Sequence, residues 1–226
     1  TLATTVYAGL VQESEVPVVP GSWLYNAQAT RFNYSPERAL KLLNEAGWTD
    51  VDGDNLLEKE IDGSLVSLKL NLITYDRGTT STRSEAADIL ATQLRLVGFD
   101  VTTKVLTSRQ VYDSMNNGDY QLALCAFELS DIPNLNFLVG KSGTSNYERY
   151  GNDDMELLLR AAWSAKNQED LQSEMYSMQL KLVEDLPILG LFFRTGLTVS
   201  KVPLGQLDAP RQGDCLRGLP TSSKVS

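Results

Sequence analysis

The sequence predicts an α/β fold, a sheet with parallel pairs flanked by helices, and two observations carry that expectation. Stretches in which apolar and polar residues alternate, such as "SLVSLKLNLI" (64–73) and "FDVTTKV" (99–105), are strand-like. Between them lie capped stretches of helical period, and strands that alternate with helices pair in parallel because the helix carries the chain back across the sheet. A chain of 226 residues is long enough for one sizeable core or two small ones; no internal repeat is visible, and 1–226 reads as a single domain.

The elements follow in order. "TLATTVYAGL" at the start reads like the inside of a helix, and with no initiator Met the chain looks like a mature or excised fragment. "VQESEVPVVPGSWLYNAQATRFNY" reads as an extended connector broken by Pro17, Pro20 and Gly21, with Trp23 and Tyr25 as packing anchors. In "SPERALKLLNEAG", Ser35 can cap a helix and Pro36 suits its first position. Ala39, Leu42, Leu43 and Ala46 would form its apolar face, and Gly47 would end it.

In "SLVSLKLNLI" the residues Val66, Leu68, Leu70 and Leu72 would share one buried strand face. "TRSEAADILATQLRLVG" is a helix in which Thr82 and Glu85 have capping-box spacing and Gly98 is the stop. "FDVTTKV" is a strand and "SRQVYDSMNNG" a short helix ending at Gly118. "YQLALCAF" is nearly all apolar, as expected of a strand covered on both faces.

The stretch 128–151 is irregular, and two helices follow it. "DDMELLLRAAWSAK" begins with acids that suit the helix dipole, and "EDLQSEMYSMQLKLVEDL" places Leu171, Met175, Met178 and Leu182 on one stripe. Pro187 closes the second helix. "ILGLFFR" and "LTVSKV" read as strands joined at Thr195-Gly196, and a polar tail runs from about 203 to 226.

Composition narrows the function. Lys plus Arg number 20 against 29 Asp plus Glu, a formal charge of −9, which argues against nucleic acid as a partner because phosphate contacts need a basic footprint. The same balance argues against anionic lipid. The chain contains no histidine, which removes Ser-His-Asp and Cys-His catalysis and His-ligated zinc together. Cys125 and Cys215 are too few for a disulfide framework, and Cys125 in "YQLALCAF" reads as a buried small hydrophobe.

"WTDVDGDNLLEKEIDG" (48–63) carries the most conspicuous acids. A calcium loop of the EF-hand kind needs Gly at its sixth position and Glu at its twelfth. Counted from Asp50, those positions hold Asn55 and Ile61. The Asp52-Gly53 and Asp62-Gly63 pairs instead suit turns that need positive φ, the second one between the two strands of a hairpin. "GKSG" (140–143) lacks the earlier glycine of a phosphate loop, since Leu135 stands there. Asn33-Tyr34-Ser35 spells a glycosylation acceptor, with Pro36 directly after it. No two carboxylates are marked as a catalytic pair.

"AFELSDIPNLNFLVGKSGTSNYERYGN" (126–152) gathers Phe127, Phe137, Tyr147 and Tyr150 with Glu128, Asp131 and Arg149, directly after the apolar strand. Crevices outside strand ends are where α/β sheets bind ligands, and long loops are often functional. An ordinary surface loop with solvated charges is the other reading of these residues.

"YSPERALKLLNEAGW", "DVDGDNLLEKEIDGSLVSLKLNL", "EAADILATQLRLVGFDV", "VYDSMNNGDYQLALCAF" and "LVEDLPILGLFF" occur in an order that resembles the extracellular solute-binding proteins of peptide and nickel ABC importers, the oligopeptide-binding class. The resemblance runs from about Thr1 to Val202. It implies a type II periplasmic-binding-protein-like lobe with a mixed sheet flanked by helices. "VYAGLVQESEVPVVPGSW" resembles the early part of the family's second lobe, so the chain would be the C-terminal lobe of a longer, two-lobed protein. The tail 203–226 would return toward the N-terminal lobe.

The resemblance implies capture without catalysis and without a cofactor. A peptide or other small solute is held between lobes that hinge shut, and the closed form docks on a membrane permease. The complete protein would be extracellular or periplasmic and tethered as a lipoprotein. In peptide binders of this class an acid after the buried strand pairs with the ligand's α-amine. Here Phe127 stands where the family usually has Trp, and "ELSDIPN" replaces its acidic, Gly-rich run. Asp131 is the first candidate for the amine partner and Glu128 the second. Phe127 and Tyr147 would be apolar walls, and Arg149 would meet a carboxylate or form a structural ion pair. Other readings are a metal-chelate binder of the same family, a carboxylate-dependent enzyme and a stand-alone interaction domain.

Overall fold

The computed structural model describes residues 2–29, 32–76, 82–130, 132–195 and 201. In chain order the first elements are α1 (Leu2–Thr5), β1 (Val11–Glu13), a 3-10 turn (Ala27–Ala29), α2 (Pro36–Glu45), β2 (Glu58–Ile61), β3 (Ser64–Ser67) and β4 (Lys69–Thr74). Then come α3 (Thr82–Arg95), β5 (Asp100–Val105), α4 (Ser108–Asn117) and β6 (Leu122–Leu124). The last are α5 (Asn136–Val139), α6 (Asp153–Trp163), α7 (Gln168–Asp185) and β7 (Phe192–Arg194). The chain forms two compact units. One takes Thr1–Val6 and Phe32–Phe127, the other Tyr7–Arg31 and Glu128–Ser226.

The first unit is built on a parallel sheet of order β5-β4-β6, in which Lys69 is opposite Asp100 and Leu72 is opposite Leu122. Strand β4 is central. Leu72 and Ile73 point to opposite faces by the alternation of a strand, and both are buried, so β4 is the strand covered on both sides. This corrects the expectation for "YQLALCAF", because β6 is an edge strand and its three residues are half-buried. Cys125, expected to be buried, is also half-buried and lies 3.7 Å from the Met115 sulfur.

One face of the sheet packs Leu72 and Val101 against Ala87 and Ala91 of α3, small residues that let the helix backbone come close. Thr82 does not stand at the cap position that the expected Thr82–Glu85 box requires. Thr82 is the first helical residue, and the acceptor for the Ser84 N–H is the Asp76 carboxylate at 3.1 Å. Helix α4 is capped locally: Thr107 accepts from the Gln110 N–H, and the Gln110 side chain accepts from the Thr107 N–H.

"SLVSLKLNLI" is two strands rather than one. It breaks at Leu68, whose N–H donates to the Leu57 carbonyl at 2.9 Å, so that β3 pairs with β2 and β4 joins the parallel sheet. Val66 therefore lies in an exposed hairpin and not in the core. The Asp62-Gly63 turn closes that hairpin with φ of 49° and 76°, the two positive values a tight two-residue turn needs. Gly98, with φ of 87°, lies against Leu57, where a Cβ would fall 2.3 Å from Cγ. Helix α2 is capped by Ser35 as expected, but it buries no residue, and Leu42 is 55% exposed. Its inward residues are the half-buried Ala39, Leu40 and Leu43.

The second unit packs α6 against α7. Met175, Met178 and Leu182 of the expected stripe are buried with Met155 and Leu159, and Leu171 packs at the edge. The supposed connector supplies Val16, Val18, Leu24 and Ala29 to this core, and it contains β1, paired antiparallel with β7. Trp23 was expected as an anchor but is 40% exposed; its neighbour Leu24 is buried instead, and Tyr25 packs partly against the core. Gln179 is fully buried in α7. Its Oε1 accepts the Asn26 N–H at 3.0 Å, and its Nε2 donates to the carbonyls of Leu24 and Met175 at 2.8 Å.

Most of "LTVSKV" and the tail beyond it, Cys215 included, lie outside the described residues. No helix among the described residues is long and apolar enough to cross a membrane.

Candidate functional site

The irregular stretch 128–151 has a structured centre. Leu135, Leu138 and Val139, the last two in α5, are buried in the second unit's core and anchor everything downstream. From that anchor the chain turns at Gly140–Gly143, where the Gly143 N–H donates to the Gly140 carbonyl at 2.8 Å, and the Ser145 N–H returns to the Phe137 carbonyl at 2.8 Å. Lys141 ties this turn to the start of α6. Its N–H donates to Glu156 Oε1 at 2.6 Å, and its ammonium pairs with the Asp153 carboxylate. That hydrogen bond and charge hold the exposed Asp153 carboxyl below its ordinary range.

Asn146 organises the next segment. Its Nδ2 donates to the Gly140 carbonyl at 2.9 Å and to the Tyr150 carbonyl at 2.8 Å, while its Oδ1 accepts the Tyr150 N–H at 2.9 Å. Tyr147, Glu148 and Arg149 are thereby closed into a three-residue excursion. Arg149 takes a left-handed φ of 53°, and its N–H reaches the Asn146 carbonyl at 3.3 Å. Beyond it, the Tyr150 hydroxyl donates to Asp185 Oδ2 at 2.5 Å. The Asn152 amide donates to the same oxygen at 2.8 Å, and its own oxygen caps α6.

Lys181 completes that cluster, 2.9 Å from Asp185 Oδ1. Burial disfavours the Asp185 charge, yet the hydrogen bonds from Tyr150, Lys181 and Asn152 outweigh it and hold the carboxyl below its ordinary value. Burial first, and then the hydrogen bond to Asp185, push the Tyr150 hydroxyl well above the usual phenol range.

The five residues singled out in the sequence are distributed as follows. Tyr147 and Arg149 share the excursion. Tyr147 is half-buried and Arg149 is exposed, making no ion pair among the described residues. Glu128 is exposed and opens the second stretch of the same unit, whereas Phe127, 41% exposed, is the last residue of the first unit. Asp131 lies outside the described residues.

Sequence reasoning missed Glu148. It stands between Tyr147 and Arg149 and is exposed at the surface, though the atoms around its carboxyl displace enough water to raise its pKa against a weaker opposing hydrogen bond from its own N–H. Its only signal in the sequence was that position. The excursion thus carries a phenol, a carboxylate and a guanidinium on consecutive residues.

The acidic turn has its own geometry. Ligand oxygens of Asp50, Asp52 and Glu58 lie within 4.8 Å of one another. They are engaged by the backbone: Asp50 accepts from Gly53 and Asn55 at 2.7 and 3.0 Å, Asp52 from Asp54 at 3.2 Å, and the buried Glu58 from Val51 at 3.2 Å. A hard cation would have to share these oxygens with the N–H donors that shape the turn.

The fold is that of a solute-binding protein. The chain is 26% identical over 200 residues to the oligopeptide-binding protein AppA of Bacillus subtilis, covering 85% of this chain and 36% of that protein. The structure of AppA in complex with a nonapeptide superimposes with a TM-score of 0.76 at 26% identity, over 85% of this chain and 38% of that one. At the level of fold alone, the nickel ABC transporter protein of Bacillus halodurans matches with a TM-score of 0.72 at 17% identity, over 85% of this chain and 39% of that one. The family description "Bacterial extracellular solute-binding proteins, family 5 Middle" matches residues 1–149, and the chain belongs to that family. It spans little more than a third of the length of the relatives it matches.

Proposed function

We propose that this chain is the C-terminal lobe of a two-lobed substrate-binding component of an ABC importer, and that the complete protein captures a peptide for delivery to a membrane permease. The observation that carries the reading is the match across 85% of the chain to a protein whose structure holds a nonapeptide. The stretch 203–226 would lead back toward the N-terminal lobe. The complete protein would work outside the cell or in the periplasm, tethered there as a lipoprotein.

In this reading the solute is lined by Phe127, Glu128, Asp131, Tyr147 and Arg149. Phe127 and Tyr147 supply apolar surface, Arg149 meets a carboxylate of the peptide, and Asp131 takes the α-amine, with Glu128 as the alternative partner. A hydrogen bond to a charged group contributes about 1.5–3 kcal/mol, enough for one such contact to set amine selectivity. The test is the affinity of the complete protein and of Asp131→Ala for a free-amine peptide and its N-acetylated form. Wild type should prefer the free amine by about tenfold or more, and the variant should lose that preference. Equal discrimination by both would remove Asp131 from the role and turn attention to Glu128.

A further inference from the structure

We propose that Asn146 is a positioning residue whose carboxamide clips the base of the Tyr147–Glu148–Arg149 excursion and so presents those three side chains to a solute in one fixed arrangement. The inference rests on the reading that Tyr147 and Arg149 touch the solute. Three side-chain hydrogen bonds of 2.8–2.9 Å converge on Asn146, from both of its polar atoms. Two of them grip the backbone of the same residue, Tyr150, at its N–H and its carbonyl. The loop is therefore closed across three residues by a side chain, beside one backbone turn bond from the Arg149 N–H to the Asn146 carbonyl at 3.3 Å.

What the clip stabilises is otherwise unfavourable. Arg149 sits at φ of 53°, a region in which a side chain bearing a Cβ is disfavoured. The far end of the loop is held as well, because the Tyr150 hydroxyl and the Asn152 amide both bond to Asp185 on α7. Hydrogen bonds at both ends thus bracket a partly exposed excursion that carries charge. Its backbone need not be ordered when a ligand arrives, and a site already ordered loses less entropy on binding.

The experiment uses the complete protein, an unblocked nonapeptide as probe, and two variants, Asn146→Ala and Asn146→Asp. The second keeps the acceptor for the Tyr150 N–H but loses both donors, so it covers the case in which the alanine variant does not fold. Each is measured alone and in a Tyr147→Ala/Arg149→Ala background, with trypsin scission of the Arg149–Tyr150 bond as a second readout. The expected result is about tenfold weaker nonapeptide binding in the otherwise native protein, no further loss in the double-alanine background, and, where Arg149 is present, faster scission after it.

Three results overturn the proposal. If Tyr147→Ala/Arg149→Ala weakens binding while both Asn146 variants match wild type in affinity and scission, the site stands and the clip falls. If the Asn146 variants weaken binding equally in both backgrounds, Asn146 supports the fold at large and does not position these residues. If Tyr147→Ala/Arg149→Ala leaves affinity unchanged, the reading of the site itself fails and the clip's role goes with it.

Discussion

The Tyr150 hydroxyl donates to Asp185 Oδ2 at 2.5 Å, joining the loop that carries the candidate site to the last turn of α7. An acid at a helix C-terminus is unfavourable with respect to the helix dipole, so Asp185 needs its partners. Tyr150, Asn152 and Lys181 supply them. Tyr150→Phe should therefore destabilise the protein by about 1.5 kcal/mol, read as a lower urea midpoint with unchanged slope.

The same cluster gives a pH dependence. The folded Asp185 pKa is below its unfolded value of about 4, so the unfolded state binds the proton more readily. Its contribution is then fully present above about pH 4 and lost as pH falls through the lower folded value. The stability difference between wild type and Asp185→Asn should be constant from pH 5 to 7 and shrink below about pH 4. A difference that grows on acidification would contradict this sign.

Gln179 predicts a larger effect. Replacing it by Leu leaves the Asn26 N–H and the Leu24 carbonyl without their buried partner. A loss of about 2–4 kcal/mol is expected, and Gln179→Glu, which keeps the acceptor and loses the donor, should be no better at neutral pH. Equilibrium unfolding by urea measures both.

Gly98 is constrained twice, by a φ of 87° and by Leu57, whose Cγ would lie 2.3 Å from an added Cβ. Gly98→Ala should cost about 1–3 kcal/mol. Pairing it with Leu57→Ala should recover the steric part of that loss but not the backbone part. The double-mutant cycle separates the two.

The acidic turn of Asp50 is expected to act through its backbone bonds. Asp50→Ala should destabilise by about 1 kcal/mol through loss of its hydrogen bonds to Gly53 and Asn55. The size of that loss should be the same in EDTA and in millimolar calcium. A wild-type melting temperature that rises with calcium, and a variant that does not respond, would assign these carboxylates to a cation instead.

Periodicity made part of this legible. The stripe of Met175, Met178 and Leu182 has an unambiguous helical spacing, and the Asp62-Gly63 hairpin turn is written in two adjacent residues. Features that depend on distant partners were not legible. The Asp76 carboxylate accepts the Ser84 N–H from eight positions away, a spacing that no local box reveals, and Gln179 is a polar residue whose burial is set by a carbonyl and an amide about 150 positions away. "YQLALCAF" was misread because an apolar run does not say whether its strand is central, and here β4 takes that place.

In the candidate site, aromatics and an arginine drew attention to Tyr147 and Arg149. Asn146, which shapes the turn between them, is one of many asparagines until its three hydrogen bonds are seen.

The central claim is that the complete protein carries a peptide, and native mass spectrometry of that protein purified from its own cells tests it most directly. The account predicts adducts that dissociate from the protein and fragment into peptide sequence ions. Adducts that give no such ions, or a protein that stays at its bare mass after incubation with mixed peptides, would contradict it.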